Sequence, residues 1–177
     1  MIFRETVIPG AFVVEPEPVT DERGFFARTF DAAEFQARGL NPALAQASIS
    51  FNERKGTLRG MHFQRVPYAE AKLVRVTRGA LYDVIVDLRP SSPGFTRWAA
   101  VELSAANRLA LYIPENVAHG FQTLEDASEV HYAISEFYEP SAASGVRWND
   151  PAFGIEWPVA GERVMSEKDM FWPDFTF

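Results

Sequence analysis

The chain has 177 residues, of which 47% are hydrophobic and 14% aromatic, and its formal net charge is −7. This length and apolar content predict a single folded domain over residues 1–177 and exclude a disordered chain. The acidic balance argues against a nucleic-acid or anionic-membrane partner, and the absence of cysteine excludes disulfides and thiolate chemistry.

The start of the chain, MIFRETVIPG, has no apolar segment of the kind found in signal peptides. No apolar run approaches the roughly 20 residues that a membrane-spanning helix needs. We therefore expect a cytoplasmic protein with no membrane partner.

The first predicted element is a short helix from Asp31 to Arg38. Asp31 is a good N-cap, Glu34 holds the capping-box position, and Gly39 follows the last turn. Further along, KLVRV (72–76), a Thr-Arg-Gly turn and ALYDVIVDLR (80–89) predict a β-hairpin. Alternating apolar and acidic residues in its second strand indicate that only one face is buried.

More strands are predicted within residues 95–103, 108–114 and 128–138, separated by turns rich in Pro, Gly, Ser and Asn. The last thirty residues predict an irregular, aromatic-rich segment that packs onto the body. Many short strands in one domain indicate an all-β sandwich or jelly roll.

The three histidines of the chain, at positions 62, 119 and 131, raise the question of a metal site. Metal sites in jelly rolls usually take two ligands from one strand at His-x-His spacing. Here Gln64 follows His62 and Phe121 follows His119 at that offset. We therefore predict no metal, although a three-histidine arrangement stays geometrically open.

Six motifs occur in a fixed order: DERGFFARTF (21–30), GTLRGMHFQ (56–64), AKLVRVTRGALYDVIVDLRPSSPGF (71–95), YIPENVAHGF (112–121), RWNDPAFGIEWP (147–158) and SEKD (166–169). Together they resemble the dTDP-4-dehydrorhamnose 3,5-epimerase family over nearly the whole chain. The resemblance implies a cupin-type antiparallel jelly roll (a double-stranded β-helix) and a homodimer. It also implies cofactor-independent epimerisation of a nucleoside diphosphate 4-keto-6-deoxy sugar.

The resemblance further implies a role for each site residue. His62 matches the family's base, Asp169 its carboxylate partner, Lys72 the cation beside the keto oxygen, and Tyr132 the acid on the opposite face. We expect five of the site residues to face the interior of the jelly roll: Arg59, His62, Lys72, His119 and Tyr132. The predicted substrate contacts are Arg23, Arg28, Gln46, Ser48, Arg59, His119, Tyr138 and Lys168.

Some of these residues also have structural explanations. Lys72 is typical of a strand edge that resists aggregation, Arg23 of a loop, and Tyr132 and Tyr138 of core aromatics with a hydroxyl at the rim. Three further enzymatic or binding alternatives stay open: a mono-epimerase, a ketoisomerase on a CDP-, GDP- or other sugar nucleotide, and a non-catalytic sugar-nucleotide-binding protein.

Three positions depart from the family pattern. Arg28 replaces an acidic residue, Ser48 replaces an asparagine, and Ala143 replaces a glutamate. All three changes fall on expected nucleotide contacts, whereas the catalytic positions match. We therefore predict that selectivity for thymidine is weaker than in the family or has moved to another base.

Overall fold

The computed structural model describes residues 1–161 and 163–176. Two antiparallel sheets pack face to face, which confirms the predicted jelly roll. In spatial order, the six-stranded sheet contains β1 (Ile2–Glu5), β2 (Phe12–Glu15), β10 (Ala110–Ile113), β7 (Lys72–Arg78), β12 (Ser128–Ile134) and β5 (Gln46–Asn52). The five-stranded sheet contains β13 (Ala143–Gly145), β6 (Leu58–Gln64), β11 (Val117–Thr123), β8 (Ala80–Asp87) and β9 (Trp98–Ser104). A separate hairpin consists of β3 (Val19–Asp21) and β4 (Gly24–Phe26).

The predicted hairpin of β7 and β8 is wrong, because these consecutive strands belong to different sheets. β7 pairs with β10 and β12, whereas β8 pairs with β9 and β11. Gly79 between them has φ +75°, and a Cβ there would clash with Ser128. This tight turn carries the chain from one sheet across to the other.

The prediction that β8 is half-buried is also wrong. Seven of its eight residues are buried, so both faces of the strand are covered. One face contributes Leu81 and Ile85 to the core between the sheets. Asp83 and Asp87 are both 0% exposed, and the charged or titratable side chains that pair with them are His119 and Arg89.

The core between the sheets is aliphatic, with one aromatic residue among its fully buried members. The six-stranded sheet contributes Val74, Leu111 and Val130, and the five-stranded sheet contributes Leu103 and Phe121. Burying each such side chain contributes roughly 1.5–3 kcal/mol, so this core holds the two sheets in a fixed relation.

The predicted N-terminal helix is confirmed as α1 (Ala32–Gln36), which is shorter than expected. Asp31 caps it by accepting the amides of Ala33 and Glu34. Gly39, with φ +72°, follows its end as predicted and forms the αL residue of a Schellman turn. No helix within residues 1–161 and 163–176 is long and apolar enough to cross a membrane.

Candidate active site

Polar side chains from both sheets line one open cavity of about 300 Å³. Strand positions that face the space between two packed sheets are normally hydrophobic. Here charged side chains occupy several of these positions, which marks the cavity as a functional site. The lining residues are Ser48, Ser50, Arg59, His62, Glu70, Lys72, His119, Gly120, Phe121, Tyr132 and Ile134. The structure thus brings together six of the predicted site residues in one place.

Arg59 and His62 both face this cavity although they are three positions apart on β6. In a regular strand such residues point to opposite faces. Here the register of β6 against β11 shifts within this stretch, and Gly60 has φ +127°. A Cβ on Gly60 would lie 2.5 Å from Gly120 Cα on the facing strand. The two glycines therefore allow the irregularity that aims both polar side chains into the cavity.

His62 pairs with Asp169, as the resemblance implies. His62 Nε2 lies 2.6 Å from Asp169 Oδ1. Asp169 lies on a second short helix, α2 (Glu167–Met170), inside the segment predicted to be irregular. Ser166 caps α2 by accepting the amide of Asp169, so the SEKD motif forms a helix start that presents the carboxylate to β6.

Two opposing effects act on the pKa of Asp169. Burial raises the pKa, but the hydrogen bond and charge of His62 lower it, together with the Gly60 amide and Ser166, and the net pKa is below its ordinary value. The carboxylate is therefore ionised at neutral pH.

Lys72 opens β7 and is 8% exposed. Its Nζ lies 3.0 Å from Glu70 Oε1 and 3.4 Å from the carbonyl oxygen of His62. The ammonium is therefore held beside the histidine by one charged and one neutral acceptor. Glu70 was not predicted from the sequence, where it is a single acidic residue in a loop.

His119 makes a second histidine–carboxylate pair deeper in the cavity. Its Nε2 lies 2.6 Å from Asp83 Oδ1, and its ring packs edge-on against Tyr132 with centroids 6.1 Å apart. Asp83 Oδ2 is buried and has no hydrogen-bond partner among the described residues. Asp83 was not predicted as a site residue, because the alternation in β8 indicates that its acidic side is exposed.

The hydroxyl of Tyr132 keeps its proton at any ordinary pH. Burial raises the pKa of Tyr132 far above its ordinary range, the negative Asp83 raises it further, and Arg59 offsets part of this shift. Tyr132 lines the cavity from β12 in the six-stranded sheet, whereas His62 lines it from the five-stranded sheet. A protonated hydroxyl and a titratable imidazole are thus available from opposite walls.

Arg59 is held from its Nε side, since this atom donates to Asn52 Oδ1 at 2.8 Å. Asn52 is 2% exposed, and its side-chain amide donates a hydrogen bond to the carbonyl oxygen of Ser128. The outer nitrogens of the guanidinium are the fork that binds phosphate in other proteins. Asn52, at the end of β5, supports the site and was not predicted from the sequence.

Other predicted contacts lie around the cavity or away from it. Ser48 lines the cavity itself. Gln46 accepts the Tyr138 amide at 2.7 Å, and the Tyr138 residue is 60% exposed. Lys168 lies over the Trp172 ring at 5.3 Å, and Trp172 in turn packs edge-on against His62.

The structure does not bring Arg23 or Arg28 to the cavity of their own chain. Arg23 is in the turn between β3 and β4 and pairs with Asp21. Arg28 pairs with Asp31, the cap of α1, at 2.8 Å. Neither arginine is among the residues that line the cavity.

The three histidines do not converge. His131 precedes Tyr132 on β12 and points to the opposite face of the sheet, where it lines a separate groove with Arg75 and Thr77. Within the described part of the chain, no group of three or more His, Cys, Asp or Glu side chains has a geometry that could hold a metal ion.

The fold and the cavity define a jelly-roll protein with an internal acid–base centre. A sequence profile described as dTDP-4-dehydrorhamnose 3,5-epimerase matches residues 5–176. The chain belongs to the dTDP-4-dehydrorhamnose 3,5-epimerase family.

Individual relatives support this assignment over nearly the full length. The chain is 46% identical to the dTDP-4-dehydrorhamnose 3,5-epimerase of Methanothermobacter thermautotrophicus, over 96% of this chain and 92% of that protein. The crystal structure of the enzyme of this name from Elizabethkingia anophelis has a TM-score of 0.96 at 36% identity, covering 99% of this chain and 96% of that one. The one from Bacillus anthracis, with TDP and PPi bound, has a TM-score of 0.93 at 40% identity, covering 98% and 99%.

Proposed function

We propose that this protein is an isomerase that epimerises a nucleotide-linked 4-keto-6-deoxy sugar at C3 and C5, converting dTDP-4-dehydro-6-deoxyglucose to dTDP-4-dehydrorhamnose. Family membership supports the reaction. The observation that carries the proposal is the His62–Asp169 pair at 2.6 Å in the same cavity as Lys72 and Tyr132. These groups provide a base, a positive charge and an acid, so the proposed reaction uses no cofactor.

His62 is the proposed base. The keto group at C4 acidifies the hydrogens on C3 and C5, so a base of moderate strength can remove them. With Nε2–H donated to Asp169, the other ring nitrogen carries the lone pair that accepts the proton. The ionised Asp169 then stabilises the imidazolium, and it fixes the orientation of the ring throughout the cycle.

Lys72 is the proposed enolate stabiliser. Removal of a proton beside C4 moves negative charge onto the keto oxygen. The Lys72 ammonium, which is itself largely shielded from water, stabilises that charge more strongly than it stabilises the neutral ketone. This preference for the charged oxygen lowers the barrier, whereas equal binding of both forms would not.

Tyr132 is the proposed acid. Inversion requires that the proton returns to the face opposite to the one from which it was removed. A hydroxyl with a strongly raised pKa remains protonated until a basic carbanion is formed beside it. Its position across the cavity from His62 supports return of the proton to the second face.

Arg59 and His119 are the proposed anchors of the diphosphate and the sugar. Gln46, Ser48, Tyr138 and Lys168 are the proposed contacts at the cavity and its rim, with Tyr138 as the stacking partner of the base. Charge and stacking tolerate any base, so base selectivity depends on the few hydrogen-bonding positions. We expect dTDP to bind no tighter than CDP, GDP or UDP in competition calorimetry, and clear dTDP preference would contradict this.

We further propose that the protein is a homodimer in which Arg23 and Arg28 act on the partner's cavity. The β3–β4 hairpin supports this arrangement, since it projects two exposed aromatics, Phe25 and Phe26, which are 48% and 72% exposed. Exposed aromatics on a small separate hairpin are typical of a surface that another molecule covers.

The test of the reaction is direct. Purified protein is incubated with dTDP-4-dehydro-6-deoxyglucose, and the product is followed by NMR beside the His62→Ala variant. We expect conversion by the wild type and a loss of roughly 10²–10⁴ in the variant. A chelator should leave the rate unchanged. Equal activity of the variant, or activity that a divalent metal restores after chelation, would contradict the proposal.

A further inference from the structure

We propose that Glu70 is a positioning residue that holds the Lys72 ammonium at the reacting end of the cavity. This inference rests on the proposed epimerase function and adds a residue to its machinery. Glu70 lies in the connection between β6 and β7, two positions before Lys72, and both residues line the same cavity.

The contacts of Lys72 leave one donor for a ligand. An ammonium group has three N–H donors. One is directed at Glu70 Oε1, at 3.0 Å, and another at the carbonyl oxygen of His62, at 3.4 Å. The third donor therefore points in a direction that the other two fix. Because one of the two acceptors is on His62, the cation is fixed relative to the proposed base.

A carboxylate suits this task better than a neutral acceptor. The side chains of Glu70 and Lys72 are each 10% exposed, so water compensates little of either charge. A buried ammonium without a charged partner is costly, and lysine has a long flexible stem that can swing away. Glu70 compensates the charge of the ammonium and limits this motion. The third N–H donor of Lys72 is then already oriented toward the developing enolate oxygen when the substrate is bound.

A purely structural ion pair would have the same geometry, so the test must separate the two roles. A positioning residue acts only through Lys72, and its replacement should have no effect once the ammonium is absent. A structural residue would weaken the enzyme by the same factor with or without the ammonium. The double-mutant cycle of Glu70 and Lys72 distinguishes these outcomes.

The experiment uses Glu70→Gln, Glu70→Asp, Lys72→Met and the double variant Glu70→Gln/Lys72→Met in the full chain. Glu102→Gln, at an exposed position of the edge strand β9, is the matched control. The rate of deuterium uptake from D₂O into saturating dTDP-4-dehydro-6-deoxyglucose gives kcat. Calorimetry gives the Kd for dTDP.

We expect Glu70→Gln to lower kcat about 10- to 100-fold, the scale of a misplacement of about 1 Å, with the Kd for dTDP within about twofold. Glu70→Asp, which keeps the charge, should recover part of this loss. In the Lys72→Met background Glu70→Gln should change the rate less than about twofold. The Glu102→Gln control should match the wild type.

Two results would overturn the inference while leaving the epimerase function intact. One is wild-type kcat in Glu70→Gln, and the other is an equal loss in both backgrounds. If Glu70→Gln unfolds, Glu70→Asp in the two backgrounds gives the same cycle. A wild type that takes up no deuterium would instead overturn the proposed function, and with it the role of Glu70.

Discussion

Replacement of Asp169 by Asn removes one negative charge from the histidine pair and preserves the shape of the side chain. Asp169 Oδ1 lies 2.6 Å from His62 Nε2, and the Asp169 side chain is 6% exposed. A hydrogen bond to a charged group contributes about 1.5–3 kcal/mol, and each 1.36 kcal/mol changes a rate tenfold. If this contact is made fully in the transition state, kcat falls about 10- to 150-fold. We expect a larger loss for His62→Ala, because that change removes the base itself.

The assay is kcat for epimerisation at saturating substrate near neutral pH, with a thermal melt of each protein. The fold should survive, because an Asn oxygen can still accept the Gly60 amide that lies 3.3 Å from Asp169 Oδ2. Asp174→Asn is the matched control, since Asp174 lies on the same terminal segment but its side chain is 65% exposed. Wild-type kcat in Asp169→Asn would refute the account of the histidine pair.

Further predictions concern packing, pH dependence and assembly. Gly60→Ala places a Cβ 2.5 Å from Gly120 Cα, so we expect the free energy of unfolding in urea to fall by about 1–3 kcal/mol. This loss should come on top of the loss in the control Gly154→Ala, because Gly154 also has a positive φ but a Cβ there would meet no neighbouring atom. Burial raises the pKa of Tyr112 to about 12, against about 10 in an unfolded chain. The stability that this raised pKa gives the folded protein is therefore fully present below about pH 10 and is lost as the pH rises toward 12. The difference in unfolding free energy between wild type and Tyr112→Phe should shrink over that range, and a constant difference would contradict the raised pKa of Tyr112. Light scattering should show a dimer, and Arg23→Ala should weaken dTDP binding in calorimetry; a monomer at micromolar concentration, or unchanged affinity, would contradict the shared site.

The sequence predicted the strands of this fold better than their partners. Alternating apolar residues identify β7 and β8, but Gly79 permits either a hairpin or a passage between sheets. Only the tertiary pairing of each strand decides between them. The burial of Asp83 could not be predicted either, since an acidic residue in a strand is normally at the solvent face. Its partner His119 is 36 positions away in the sequence.

The candidate site was predictable where the family motifs or strands contain its residues, but not where single residues outside the motifs complete it. His62, Lys72 and Tyr132 come from the motifs or lie inside strands, and the structure gathers them in one cavity. Glu70 and Asn52 act through contacts with Lys72 and Arg59 that no spacing rule indicates. The α2 helix that presents Asp169 has only four residues, too few for a periodic pattern, although its Ser-x-x-Asp start was a usable capping signal.

In the proposed mechanism, His62 and Tyr132 exchange protons on the two carbons beside a C4 ketone, on opposite faces of the sugar. The measurement that tests it most directly is incubation of the wild type with dTDP-4-dehydro-6-deoxyglucose in D₂O, with mass spectrometry and NMR of the recovered sugar. We predict deuterium at both C3 and C5, with inverted configuration at each carbon, and uptake that is slower by roughly 10²–10⁴ in His62→Ala. Deuterium at one carbon only after long incubation, or uptake by His62→Ala at the wild-type rate, would contradict this mechanism.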